Sequence, residues 1–283
     1  MDSALTLAGK RLCVAIPDTI LEEHDTTRDK TMKLGQIARY CSIFGVDSVR
    51  VFHDPRGRGE SRFMKLVLEY LETPQYLRKR LFPLSEDLRF AGLLPPLRIP
   101  SHKPKTPVDK LRPGEFREGV VLADGMNVDI GLDRPAILRK KENPQKRVTV
   151  KIVSKSTLHV EGLVVPREQV PEYWGYAVEV SSAGALNDPR FPLRIATSRR
   201  GDPLVAVSSS LKDRIQKAAG LMLLFGPPSR GLFEILGRDL YEKVAFVVNL
   251  YPEQQVVTVR SEEAIFSALY LVELLATPGF SLP

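Results

Sequence analysis

A chain of 283 residues, 43% hydrophobic and 27% charged with a net charge of +7, has the balance of a folded globular protein, which excludes a disordered or fibrous one. No apolar run is long enough to span a membrane, and the start, MDSALTLAGKRLCVAIPD, lacks the basic n-region and long apolar core of a signal peptide. Two cysteines in apolar patterns, Cys13 and Cys41, and four scattered histidines have no metal spacing, so no metal and a reducing, cytoplasmic home are expected.

In chain order, Arg11 to Pro17 reads as a buried first strand. After a polar loop, Lys30 to Phe44 is predicted as a helix, with Leu34, Ile37, Ala38, Cys41 and Phe44 on one face and Gly45 as its stop. Val46 to Phe52 is a second strand; Glu60 to Leu71 and Pro74 to Leu81 are helices, the latter with Pro at its first position. Strand, helix, strand and helical return are the grammar of a parallel sheet.

That grammar breaks between Leu93 and Pro113, where Pro95, Pro96, Pro100, Pro104, Pro107 and Pro113 crowd together. Five short runs follow: Gly114 to Ala123, Asn127 to Ile130, Pro135 to Lys140, Arg147 to Val153 and Thr157 to Val165. Five strands without a credible helix suggest a small inserted all-β barrel of oligonucleotide-binding (OB) type over 92–166, between sheet-forming parts at 1–91 and 167–283. This segment carries 14 Lys and Arg against 8 Asp and Glu, so it holds six of the seven net positive charges. Such an excess suits nucleic acid, although a solvated basic surface has the same composition. Phe116 is the one Phe, Tyr or Trp of the segment, so contact with the phosphate backbone is expected over base stacking.

Strand patterns resume at Tyr176 to Val180 and Arg194 to Thr197, followed by a polar loop, Thr197 to Gly201, at a strand end where ligands gather in open α/β sheets. A short helix, Leu211 to Ala219, precedes the apolar strand Gly220 to Phe225. The loop Gly226-Pro227-Pro228-Ser229-Arg230-Gly231 then leads into a helix, Leu232 to Leu236. It presents backbone N–H groups with little bulk, but lacks the Gly-Lys-Ser/Thr of a nucleotide P-loop. Val244 to Leu250 is a buried strand, and Tyr251 to Arg260 a polar loop. Ser261 is the expected N-cap of a last helix, with Glu262 and Glu263 in its first turn and Thr277, Pro278 and Gly279 at its end. A plain strand–loop–helix unit would show the same pattern.

The particular residues say more. Asn249 closing a strand, the turn Pro252-Glu253-Gln254, Thr258-Val259-Arg260 and Ser261-Glu262-Glu263-Ala264-Ile265 closely resemble the last motif of the SPOUT RNA methyltransferases. Strand–GPPSRG–helix resembles their middle motif, and Leu34-Gly35-Gln36-Ile37-Ala38-Arg39 with Ile43-Phe44-Gly45-Val46 their first helix. Family members usually have Gly where this chain has Gln255. The resemblance covers 11–90 and 167–276 and is similar to the subfamily with an OB-like insertion. It implies an α/β knot with a mostly parallel sheet, a homodimer with each pocket near the partner subunit, and S-adenosyl-L-methionine as cofactor. It further implies methylation of ribosomal RNA, with N3 of a uridine as the suggested acceptor.

The cofactor residues it implies are Thr197, Ser198, Phe225, Gly226, Pro227, Gly231, Asn249, Leu250, Gln254, Gln255, Val257 and Thr258. Arg39 matches an arginine that orients RNA and helps activate the acceptor; Arg28 and Arg199 are further candidates, and the sequence does not choose among the three. A surface arginine beside an apolar helix face would look the same. A catalytically inactive, RNA-binding ribosome-assembly factor with the same fold is the alternative function. Methylation of protein is a third reading, disfavoured by the basic insert.

Overall fold

The computed structural model describes residues 9–156, 158–237, 239–277 and 280, with only the backbone at 239. The chain runs β1 (Arg11–Pro17), α1 (Thr27–Ile43), β2 (Ser48–Phe52), α2 (Ser61–Glu72), α3 (Gln75–Leu81), then β3 (Phe116–Val121), β4 (Asn127–Asp129), β5 (Ala136–Leu138), β6 (Arg147–Lys155) and β7 (Val160–Val165). It continues with β8 (Ala177–Ser181), β9 (Leu193–Pro203), α4 (Leu204–Lys217), β10 (Gly220–Leu224), α5 (Leu232–Leu236), α6 (Asp239–Lys243), β11 (Phe246–Asn249) and α7 (Ser261–Ala276). Two compact units result. One holds the chain through Glu69, Asp87–Pro95 and everything from Tyr176 on; the other holds Tyr70–Glu86 and Pro96–Gly175.

The first unit is built on a six-stranded sheet, β11-β9-β10-β1-β2-β8, in which every neighbouring pair is parallel. Parallel strands are covered on both faces, which is why β2 and β10 are buried at every position and β1 at all but its first. Cys13 and Ala15 of β1, Ala196 of β9, Met222 and Leu224 of β10 and Val247 of β11 pack against Leu232, Ile235, Leu236 and Leu240 of α5 and α6. Helix α7 packs on α1 and α4. Lys33 of α1, buried, forms ion pairs with Glu262 at 3.3 Å and with Glu23, fixing the first turn of α7. Both thiols are buried, and burial pushes Cys13 up to about 12, so neither is a nucleophile at neutral pH.

Several local expectations are corrected. Pro74 is the N-cap of α3 and lies just outside the helix. Helix α4 starts at Leu204, well before Leu211: its first half, LVAVSSS, has weak intrinsic helix propensity, and tertiary context overrides it. Helix α6 was not anticipated. Strand β9 runs through the stretch read as a loop, but its ladder with β11 steps from Ala196↔Val247 to Asp202↔Val248. Residues 197–201 are therefore released from the pairing. Gly201 is needed there, because a Cβ would lie 2.4 Å from the Val247 carbonyl oxygen. Thr157, Pro278 and Gly279, which the sequence assigned to element ends, lie outside the described residues.

The second unit is a closed five-stranded barrel, β3-β4-β5-β7-β6, with β5 and β7 parallel and the other pairs antiparallel. Val121, Val128, Ile130, Leu138, Val150 and Ile152 fill it. Gly162 lets the walls close, since a Cβ there would meet Val150 Cγ1 at 2.4 Å. The unit is larger than the 92–166 segment: it takes in α3 and the end of α2, and extends to Gly175. The composition boundary at 92 marked prolines in the chain, whereas the packing boundary falls where Glu72 at the end of α2 bonds Arg147 of β6 at 2.6 Å.

His102 belongs to this unit, and Nε2 bonds the Glu72 carbonyl oxygen at 2.8 Å. Burial pushes its pKa down to about 4. The unfolded chain takes up this proton near pH 6.5, and the folded one resists until about pH 4. Stability is therefore lost as pH falls through that window, by up to about 3 kcal/mol from this group. Urea titrations should show His102→Gln losing less stability than the wild type between neutral pH and about pH 4; equal losses would refute the assignment.

Candidate functional site

The C-terminal ends of β9, β10 and β11 converge on one cleft of about 280 Å³. Each end is released from the sheet for a local reason: the bulge at 197–201, the Gly/Pro loop after β10, and the polar loop after β11. Thr197, Ser198 and Arg199 come from the first; Phe225, Gly226, Pro227 and Gly231 from the second; Asn249, Leu250, Gln254, Val257 and Thr258 from the third. Arg200, Ser229, Glu234, Tyr251, Ser261 and Ala264 also line it and were not among the cofactor residues expected from the sequence.

The three segments are tied to one another. Asn249 Nδ2 donates to the Arg199 carbonyl at 3.0 Å, and its Oδ1 accepts from the Tyr251 N–H at 3.0 Å. Thr197 Oγ1 donates to the Leu224 carbonyl at 3.4 Å. Gln254 folds back on its own loop and donates to the carbonyls of Val256 and Val257 at 2.9 and 3.2 Å. Ser261 differs from expectation: it is the first residue of α7, Arg260 is the N-cap, and Ser261 Oγ donates to the Gly226 carbonyl at 3.2 Å. The N-terminal turn is instead closed by Glu263, which accepts from the Arg260 N–H at 2.9 Å. Beyond the cleft, Arg230 joins Glu22 at 2.7 Å and Asp54 at 3.1 Å, anchoring the Gly226–Gly231 loop to the loops after β1 and β2. The cleft is thus framed by polar ties between its own segments.

Gln255 does not line the cleft. Its side chain is exposed and donates to the Glu253 carbonyl at 3.0 Å. Nor is it among the non-glycine residues of positive φ, so no left-handed conformation demands a glycine here. Arg28 and Arg39, on the outside of α1, do not line the cleft of their own chain either.

The model of the family described as "Putative RNA methyltransferase" matches residues 11–272. The chain belongs to this family. Among its relatives, the 28S rRNA (uridine-N(3))-methyltransferases of Homo sapiens and Mus musculus are 34% and 33% identical to it, over 91% of this chain and 76% and 74% of theirs. An uncharacterized protein of Halobacterium salinarum is 33% identical over 90% of this chain and 96% of its own.

As an RNA methyltransferase, the chain needs room for a methyl donor, and the cleft has suitable walls. Phe225, Leu250, Val257 and Ala264 offer apolar surface; Thr197, Ser198, Asn249 and Thr258 offer hydroxyl and amide groups; Glu234 is the carboxylate among the described lining residues. Because Gln255 points away, Gln255→Gly should change methyl-donor affinity less than about twofold in calorimetry, within the range of a surface change. A large gain would place this side chain in the binding path.

Proposed function

We propose that the chain transfers the methyl group of S-adenosyl-L-methionine to N3 of a uridine in large-subunit ribosomal RNA. The observation that carries the reading is the meeting of two motif segments, Gly226–Gly231 and Asn249–Ala264, with the Thr197–Arg200 stretch in one cleft at the sheet's C-terminal edge. The relatives' printed activity supports the acceptor. The donor, when bound, supplies an already activated sulfonium methyl. The cleft's apolar walls would take its adenine, and the hydroxyl and amide groups its ribose and amino-acid end.

The chain's task is then to align N3 with the methyl at about 3–3.5 Å and to exclude water. N3 gives its proton to solvent water before the cleft closes over it and then supplies the electron pair of the new N–C bond, while the C–S pair would stay on the donor's sulfur. A guanidinium stabilises the anion that develops on the uracil ring; being always protonated, it acts as a clamp and not as a base. Arg199 is within the cleft. Arg39 lies on a stripe of α1 with Met32, Gln36 and Ile43, all exposed; Met32 is 39% and Ile43 52% exposed. Phe266 and Tyr270 of α7 are also exposed, and Phe266 packs edge-on against Tyr40 of α1 at 5.1 Å. This aromatic and aliphatic surface supports a homodimer in which Arg39 serves the partner's cleft.

The fold we propose is the α/β knot, supported by the contact of the Gly226 loop with the start of α7. For the barrel, the order β3-β4-β5-β7-β6 with its single parallel pair supports the OB class. The buried, reduced cysteines fit a cytoplasmic location. Calorimetry with S-adenosyl-L-methionine and mass spectrometry of rRNA nucleosides with and without the gene test the reading together. Donor binding without a lost methyluridine would favour another substrate, and no donor binding would favour an assembly factor that has abandoned catalysis.

A further inference from the structure

The barrel unit contains a second cleft, of about 660 Å³, away from the barrel's own strands: Pro96, Arg98, Ile99, His102, Lys103, Pro104 and Lys105 of the proline-rich segment face Gln75 and Tyr76 of α3. Its lining includes three cations and no carboxylate among the described residues. Lys103 has company, 3.8 Å from Glu115 and 5.9 Å from the Trp174 ring centroid. Arg98 and Lys105 have no ion pair among the described residues and are exposed. In the same unit Arg80, Arg117, Arg134, Arg139, Arg147 and Arg167 have carboxylate partners, whereas other lysines, such as Lys140 and Lys141, have no ion pair among the described residues but lie outside the cleft; Arg98 and Lys105 are distinguished by lining one cleft together.

A second, independent feature lies at the same residue. Arg98 has φ 55°, in the left-handed region that a non-glycine residue enters only at a cost. A glycine would relieve it, yet a cation is present. Backbone strain held at an unpaired charge is what a ligand grip looks like. The flanking prolines fix the walls, so little ordering remains to be done on binding. A cation-lined cleft without acid suits an anion, and its volume suits a stretch of polymer more than a single ion.

We propose that this cleft grips the phosphodiester backbone of the RNA substrate, with Arg98 and Lys105 as the two direct phosphate contacts. The proposal rests on the RNA methyltransferase reading and adds to it where the RNA is held: on the proline-rich flank of the unit as well as on the barrel.

The test uses the full chain and a fluorescently labelled oligo-uridylate across a series of salt concentrations. Losing two phosphate contacts should make the slope of log K against log salt shallower by about 1.4, at about 0.7 per contact on single-stranded RNA. Arg98→Gln with Lys105→Gln should therefore weaken RNA binding at least about tenfold at low salt and flatten the slope. Lys140→Gln with Lys141→Gln, exposed in the same unit but outside the cleft, should do neither to that extent. Arg98→Gly separates charge from folding: its melting temperature should stay the same or rise as the strain goes, while RNA affinity falls. Donor binding should not change in any of them.

If the wild type binds the RNA and the cleft variants bind it equally well, the proposal is wrong and the methyltransferase reading stands; the cleft would then suit an acidic protein. If the wild type binds donor but no RNA at all, both fall together.

Discussion

Arg39→Ala should lower single-turnover methyl transfer by about 10²–10³-fold, the usual loss when one preorganised charge stabiliser is removed, and leave donor affinity nearly unchanged. The fold should survive, because Arg39 is exposed on α1 and alanine is a better helix former. The sharper test is complementation. Arg39 does not line the cleft of its own chain, whereas Asn249 does, bridging the Arg199 carbonyl and the Tyr251 N–H. Asn249→Ala removes both ties and should weaken the donor site. If each site combines one chain's cleft with the other chain's arginine, mixing the two inactive variants creates heterodimers with one intact site. Random reassortment makes half the dimers mixed, so activity should recover to about a quarter of wild type. No recovery from the mixture would sink the shared site, and equal loss of turnover and donor affinity in Arg39→Ala alone would reject its catalytic role.

The sheet was legible because burial on both faces leaves a continuous apolar run, as in LCVAIP of β1 and GLMLL of β10. The barrel strands were legible for the opposite reason: turn residues punctuate short alternating runs, and all five have counterparts in the structure. The local errors have one character. Ser261 reads as an N-cap on local grounds, but its hydroxyl is captured by Gly226, thirty-five residues away in sequence. The loop at Thr197 reads as the end of a strand, because pairing lost by a bulge and pairing lost by termination look alike in one dimension. The first half of α4 is helical through tertiary context that no window of sequence contains.

At the site, the positions that a motif places on a tight loop do converge, since the geometry of such loops is local. What the sequence left open was which arginine matters and where a side chain points. Gln255 illustrates the second: its identity departs from the motif, but its backbone is not left-handed and its amide turns to Glu253, so the departure costs the cleft nothing visible. The unpaired cations of the proline-rich segment were counted correctly as charge. Only three dimensions separate Arg98 and Lys105 from the cations already neutralised by neighbours.

Glu72→Ala should be the most damaging single change to stability. The carboxylate is buried and pairs with Arg147 at 2.6 Å and with Arg167; Arg147 also bonds Glu118 at 2.6 Å. Truncating the carboxylate leaves the half-buried guanidinium of Arg167 without its partner and that of Arg147 with Glu118 alone, at about 3 kcal/mol. Glu72→Gln keeps shape and some hydrogen bonding, and should cost less. The protein carries its own reporter: Trp174 is the one tryptophan of the sequence, 4% exposed in the barrel unit, with Nε1 donating to Glu118. Its fluorescence in a urea titration therefore follows this unit. The midpoint should fall sharply in Glu72→Ala, while donor binding, whose cleft is made wholly from the other unit, persists in the absence of denaturant. If the tryptophan transition does not move, the ion-pair network contributes little and the barrel is held by its valine and isoleucine core alone; if donor binding disappears along with it, the two units fold as one.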